Sequence, residues 1–126
     1  MNNRPRVILV DDNKQFVDLM SVELGNCGID NRIAYNGPEA VKLLAEWPAQ
    51  IMMLDIEMPI MNGYETAITI HRLDGFMQFP IVAWSTNNCS KPIHFLDEAR
   101  FSGWLTKPVG VQQILDVITR LTTRGN

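Results

Sequence analysis

One run of five residues, Ile51-Met52-Met53-Leu54-Asp55, constrains this chain more than any other. Four consecutive apolar residues without alternation read as a strand buried on both faces, the mark of a parallel sheet covered by helices on each side. The run ends in a carboxylate, and Pro59 and Asn62-Gly63 then signal a loop. Asp55 therefore stands at the carboxyl end of a central strand, where open α/β sheets place their ligand sites. A lone aspartate there is an ordinary turn former, so the remaining strands decide what Asp55 is for.

A second apolar run, Arg6-Val7-Ile8-Leu9-Val10, ends in Asp11-Asp12-Asn13. Residues 13–26 follow as a helix, with Phe16, Leu19, Met20, Glu23 and Leu24 at helical spacing, Asp12 or Asn13 as N-cap, and Gly25 and Gly28 at its stop. Residues 29–35 form a short, more polar strand suited to a sheet edge. Pro38 opens a second helix with Val41, Leu44 and Ala45 on its inner face, ended by Trp47-Pro48. After the Asp55 strand a third helix is predicted over 64–73, with Tyr64, Ala67, Ile68 and His71 on one side. A fourth strand, Pro80-Ile81-Val82-Ala83-Trp84, carries a large residue for a core position and ends at Ser85. A weaker helix is predicted over 92–100, then a short strand at Gly103-Trp104-Leu105, then Thr106-Lys107-Pro108. The last helix has the clearest apolar stripe, Val111, Ile114, Leu115, Ile118 and Leu121.

Composition narrows the class. A chain of 126 residues is expected to form one domain, and its net charge of -3 with a pI near 5.2 argues against a nucleic-acid or membrane surface. No apolar run reaches membrane-spanning length, and the polar start followed by four apolar residues is too short for a signal peptide. Cys27 and Cys89 form no metal or disulfide framework. His71 and His94 read as surface or satisfied histidines, and a reduced cytoplasmic setting is expected.

Strands alternating with helices imply a parallel sheet between two helical layers, and right-handed crossovers bring every strand's carboxyl end to one edge. That edge gathers Asp11, Asp12, Asp55, Ser85 and Lys107. Converging carboxylates repel one another unless a cation lies between them. An oxygen-only ligand set suits Mg²⁺. A carboxylate beside the metal can attack phosphorus, with Mg²⁺, Lys107 and the Ser85 hydroxyl each serving one phosphoryl oxygen.

In this order and spacing the residues resemble the receiver domains of response regulators, the CheY-like family. The acidic pair Asp11-Asp12, then Asp55, Ser85 and Lys107-Pro108 match its pattern, with Met58-Pro59 and Gly63 fitting its loop. The resemblance covers nearly the whole chain, 1–126, as a single receiver domain. It implies a flavodoxin-like three-layer α/β/α sandwich: a five-stranded parallel sheet in the order 2-1-3-4-5, with five helices. It further implies that Asp55 accepts a phosphoryl group from a histidine kinase or histidine phosphotransfer protein. Asp12, Asp55 and the Glu57 backbone carbonyl would ligate Mg²⁺ directly, with Asp11 acting through water. A cis Lys107–Pro108 bond would aim Lys107 at Asp55.

Ser85 and Trp104 match a switch pair. The face formed by the fourth helix, fifth strand and fifth helix is then expected to bind an output partner or a second copy. Glu57, two after Asp55, and Asn87, two after Ser85, are placed to tune the lifetime of the phosphorylated state. Two other readings compete. Asp55-Ile56-Glu57 imitates the paired carboxylates of haloacid-dehalogenase-like phosphatases. A degenerate receiver would only bind partners. The resemblance implies no conventional enzyme: Mg²⁺-dependent self-phosphorylation and self-dephosphorylation would both take place at Asp55 itself.

Overall fold

A computed structural model describes residues 4–86 and 98–123. The elements are β1 (Arg6–Val10), α1 (Lys14–Asn26), β2 (Asp30–Ala34), α2 (Gly37–Glu46), β3 (Ile51–Leu54), α3 (Gly63–His71), β4 (Ile81–Ser85), β5 (Gly103–Thr106) and α4 (Val111–Thr122). All five strands pair in parallel, in the order β2-β1-β3-β4-β5. The described residues hold four helices where the sequence predicts five. Of the helix predicted over 92–100, residues 92–97 lie outside the described residues, and Glu98 and Ala99 are helical.

The unbroken apolar runs become strands buried on both faces. On one face Ile8, Val10, Met52, Leu54, Ile81 and Ala83 pack with Leu44 of α2 and Ala67 and Ile70 of α3. On the other, Val7, Leu9, Ile51, Met53, Val82 and Trp84 pack with Val17 and Leu24 of α1 and Ile114 and Ile118 of α4. Polar β2 takes the expected edge. Asparagine starts three of the helices at the carboxyl edge. Asn13 accepts from Phe16 N at 3.1 Å, Asn36 from Glu39 N at 2.9 Å, and Asn62 from Glu65 N at 2.9 Å, the last completing a capping box.

The helical inner faces differ in detail from the sequence reading. In α1 the buried stripe is Val17, Met20 and Leu24, while Leu19 is 58% exposed and Glu23 faces solvent. In α2 it is Gly37, Ala40 and Leu44, with Ala45 outside. Ile70 and Thr66, rather than Ile68, join Tyr64, Ala67 and His71 inside α3. His71 is buried, with Nε2 at 2.8 Å from the Phe79 carbonyl oxygen. Trp84 fits its strand with no exposure, because its indole Nε1–H donates to the Val10 carbonyl at 3.1 Å and Phe16 meets its ring edge-on. No helix among the described residues is long and apolar enough to cross a membrane.

Gly63 closes the loop that leaves β3. Its N–H donates to the Ile56 carbonyl at 2.8 Å, and a Cβ there would lie 2.4 Å from the Asp55 carbonyl oxygen and 2.7 Å from Ile56 Cα. These are backbone atoms, so rotamer changes cannot relieve the clash. Gly63→Ala is expected to cost about 1–3 kcal/mol, read as a lowered urea midpoint with an unchanged slope.

Candidate functional site at the carboxyl edge of the sheet

Register sets the site. Val10 pairs with Leu54, Leu54 with Ala83, and Ser85 with Thr106, so the residue after each strand emerges on one edge. The ladders run one step further, Asp11 N donating to the Ala34 carbonyl at 3.2 Å and Asp55 N to the Val10 carbonyl at 2.9 Å. Asp11, Asp12 and Asp55 each bring one carboxylate oxygen to within 4.8 Å of the others. Asp11 is 0% exposed and Asp55 6%, while Asp12 faces solvent.

Lys107 enters this cluster from the loop after β5. Its N–H donates to the Ser85 carbonyl at 2.8 Å, and the Lys107–Pro108 bond is cis, as predicted. Its ammonium lies 2.6 Å from Asp11 Oδ2 and 4.0 Å from Asp55 Oδ1. The lysine aimed by sequence at Asp55 therefore binds Asp11 first, because Asp11 is the more deeply buried charge. Asn13 N donates to Asp11 Oδ1 and Ile56 N to Asp55 Oδ1, both at 2.9 Å. Ser85 is buried at the end of β4.

Two of the three carboxylates, Asp11 and Asp55, thus share the Lys107 ammonium. Burial pushes the Asp55 carboxyl up to about 7, and the Asp11 charge adds to this. Lys107 and the Ile56 N–H pull the other way, and Asp12 raises it further. The cluster is short of positive charge, and its donors are all hard oxygens within reach of one small ion. This donor set fits Mg²⁺.

Glu57 is exposed on the loop after β3. Asn87 lies outside the described residues. Trp104 is half-buried on β5, and an edge-to-face row runs from it to Phe101 at 5.8 Å and on to Tyr64 at 5.7 Å. Tyr64 follows Gly63, so the row starts beside Asp55. Phe16 packs against the core as its helical spacing predicts. Its ring also lies 4.3 Å beneath the Lys107 ammonium, and helical periodicity carries no signal for such a contact.

The family model for the response regulator receiver domain matches residues 7–119. The chain belongs to that family. This makes it a phosphoaccepting receiver domain of two-component signalling, and it sets aside the phosphatase reading of Asp55 and Glu57. The receiver is 33% identical over 116 residues to the response regulator receiver protein Anae109_2439 from an Anaeromyxobacter species, covering 89% of this chain and 46% of that protein. It spans 13% or less of several sensor kinases that it also matches. Among solved structures, the chemotaxis protein CheY4 of Vibrio cholerae superposes with a TM-score of 0.87 at 23% identity, covering 94% of this chain and 99% of that one. The receiver domain of sensor histidine kinase PA1611 from Pseudomonas aeruginosa, with a magnesium ion coordinated in its active site cleft, gives 0.79 at 21% identity over 94% and 98% of the two chains.

The raised Asp55 carboxyl has a measurable consequence. Unfolded, Asp55 loses its proton near pH 4; folded, it keeps it to about pH 7. Stability should therefore fall as pH rises across that window. In divalent-free buffer at pH 8, Asp55→Asn should be more stable than wild type. Solvent screening at the cleft mouth holds the gain to about 1–3 kcal/mol, and it should shrink toward pH 4. Urea denaturation at several pH values measures both; an equal difference at all pH values would contradict the assignment.

Proposed function

We propose that Asp55 is the phosphoacceptor, in a Mg²⁺-dependent transfer from a phosphohistidine. The observation that carries this reading is the convergence of Asp11, Asp12 and Lys107 on a strand-end carboxylate. An Asp55 carboxylate oxygen forms the new P–O bond as the donor's P–N bond breaks. The bonding pair leaves with the imidazole nitrogen, which takes a proton from solvent. Asp12, Asp55 and the Glu57 backbone carbonyl would hold Mg²⁺, with Asp11 acting through water. When bound, the ion supplies positive charge to the phosphoryl oxygens. Lys107 serves a second oxygen and the Ser85 hydroxyl a third. The donor is a histidine kinase or histidine phosphotransfer protein, a class in keeping with the sensor kinases among the relatives.

Incubation with acetyl phosphate and Mg²⁺ should add one hydroxylamine-labile phosphoryl mass to wild type and none to Asp55→Asn. Chelation should abolish labelling, and Asp12→Ala should slow it by at least about tenfold. Equal labelling of wild type and Asp55→Asn in intact-mass spectra would overturn the reading.

Output is proposed at the face of β5 and α4, where a partner or a second copy would dock; most of the fourth helix predicted over 92–100 as part of that face lies outside the described residues. Phosphorylation adds about two negative charges at the edge, drawing in the Ser85 hydroxyl and biasing Trp104 between two packings. The aromatic row from Tyr64 through Phe101 supports this coupling. Glu57 and Asn87 tune the lifetime of the phosphorylated state. With 5-fluorotryptophan incorporated, the Trp104 ¹⁹F resonance should shift on adding beryllofluoride and Mg²⁺. A shift confined to Trp84 would remove Trp104 from the switch.

A further inference from the structure

We propose that Phe16 is a positioning residue: its ring face holds the Lys107 ammonium in the cleft when Mg²⁺ draws on the carboxylates around it. The inference rests on the reading of Asp55 as phosphoacceptor and gives that reaction a residue outside its charged groups.

Among the described residues three groups lie within reach of the ammonium: Asp11 Oδ2 at 2.6 Å, Asp55 Oδ1 at 4.0 Å and the Phe16 ring centroid at 4.3 Å. Both carboxylates also belong to the cluster that fits the metal. A cation between them competes with Lys107 for the same oxygens, and the ammonium is then free to leave for water. The ring is the one neighbour of the three for which the metal does not compete. Its negative face attracts the ammonium most strongly where water is scarce, and the Lys107 side chain is only 12% exposed. The attraction is also less directional than a hydrogen bond, so Lys107 can pass from Asp11 toward a phosphoryl oxygen at Asp55 while remaining over the ring.

The platform is itself fixed. Phe16 N is capped by Asn13 at 3.1 Å, at the start of α1. The Phe16 ring meets Trp84 at 4.9 Å and an interplanar angle of 71°, and the buried Trp84 is tied to the Val10 carbonyl at 3.1 Å. The ring is therefore braced against the floor that carries Asp11 and Asp55.

A series of 4-fluoro-, 3,5-difluoro- and 3,4,5-trifluorophenylalanine at position 16 weakens the ring's negative face while nearly preserving its shape. With acetyl phosphate and saturating Mg²⁺, the rate of Asp55 labelling should fall stepwise along the series, by about three- to thirtyfold at its end. Phe16→Leu should show the full loss, and Phe16→Tyr should stay within about twofold of wild type. Independently of turnover, the Lys107 ε-methylene protons should be shifted upfield by the ring in wild type and return to ordinary positions in Phe16→Leu. Labelling rates that are flat across the fluorinated series would overturn the proposal, even if Phe16→Leu is slow, because packing alone would then explain Leu. Unshifted Lys107 protons in wild type would overturn it too. Failure of wild type to label at Asp55 would instead overturn the reading on which it rests.

Discussion

A buried carboxylate must find a partner or give up its charge, and Asp11 has no exposure at all. Its partner is Lys107, 96 residues away in sequence and 2.6 Å away in space. That ion pair ties the end of β1 to the loop after β5 and so draws the two flanks of the cleft together across β3. It also bears on Asp55. Burial does most to push the Asp55 carboxyl up to about 7, the neighbouring Asp11 charge adds to this, and Lys107 offsets only part of the rise. A buried pair of this kind is not evidence of high stability. It leaves an edge that gains from any added positive charge.

The sheet beneath is what makes such an edge tolerable. β1, β3 and β4 are apolar on both faces, and two separate cores clamp them. β2 and β5 are less buried. The least yielding strands therefore carry Asp11, Asp55 and Ser85, and Trp104 sits on a more exposed one.

Much of this was legible in the sequence because the strongest signals are physical ones. An unbroken run such as Ile51 to Leu54 fits little other than a doubly covered strand, and an acidic residue after each of two such runs places carboxylates together whatever the helices do. Helix faces were less legible. Leu19 matches the helical spacing as well as Val17 does, but the stripe of α1 is centred on Val17, Met20 and Leu24, and apolarity alone does not say where that centre falls. The preference of Lys107 for Asp11 over Asp55 was not legible either. It depends on differences of little more than an ångström and on relative burial, neither of which spacing encodes. The same holds for Phe16, whose neighbours come from β4 and from the loop after β5.

The Val10 carbonyl accepts from both Asp55 N and Trp84 Nε1, so its two lone pairs serve two different strands. One atom of β1 therefore acts as a rivet through three strands at the mouth of the cleft. Any hinge that separated β1 from β3, or swung the end of β4 away from β1, would first have to shear that rivet in a place where water cannot replace it. On the other flank the Lys107 N–H donates to the Ser85 carbonyl at 2.8 Å, which fastens the end of β4 to the loop after β5. The nucleophile thus stands beside a joint that cannot open without stripping a buried carbonyl of both its donors.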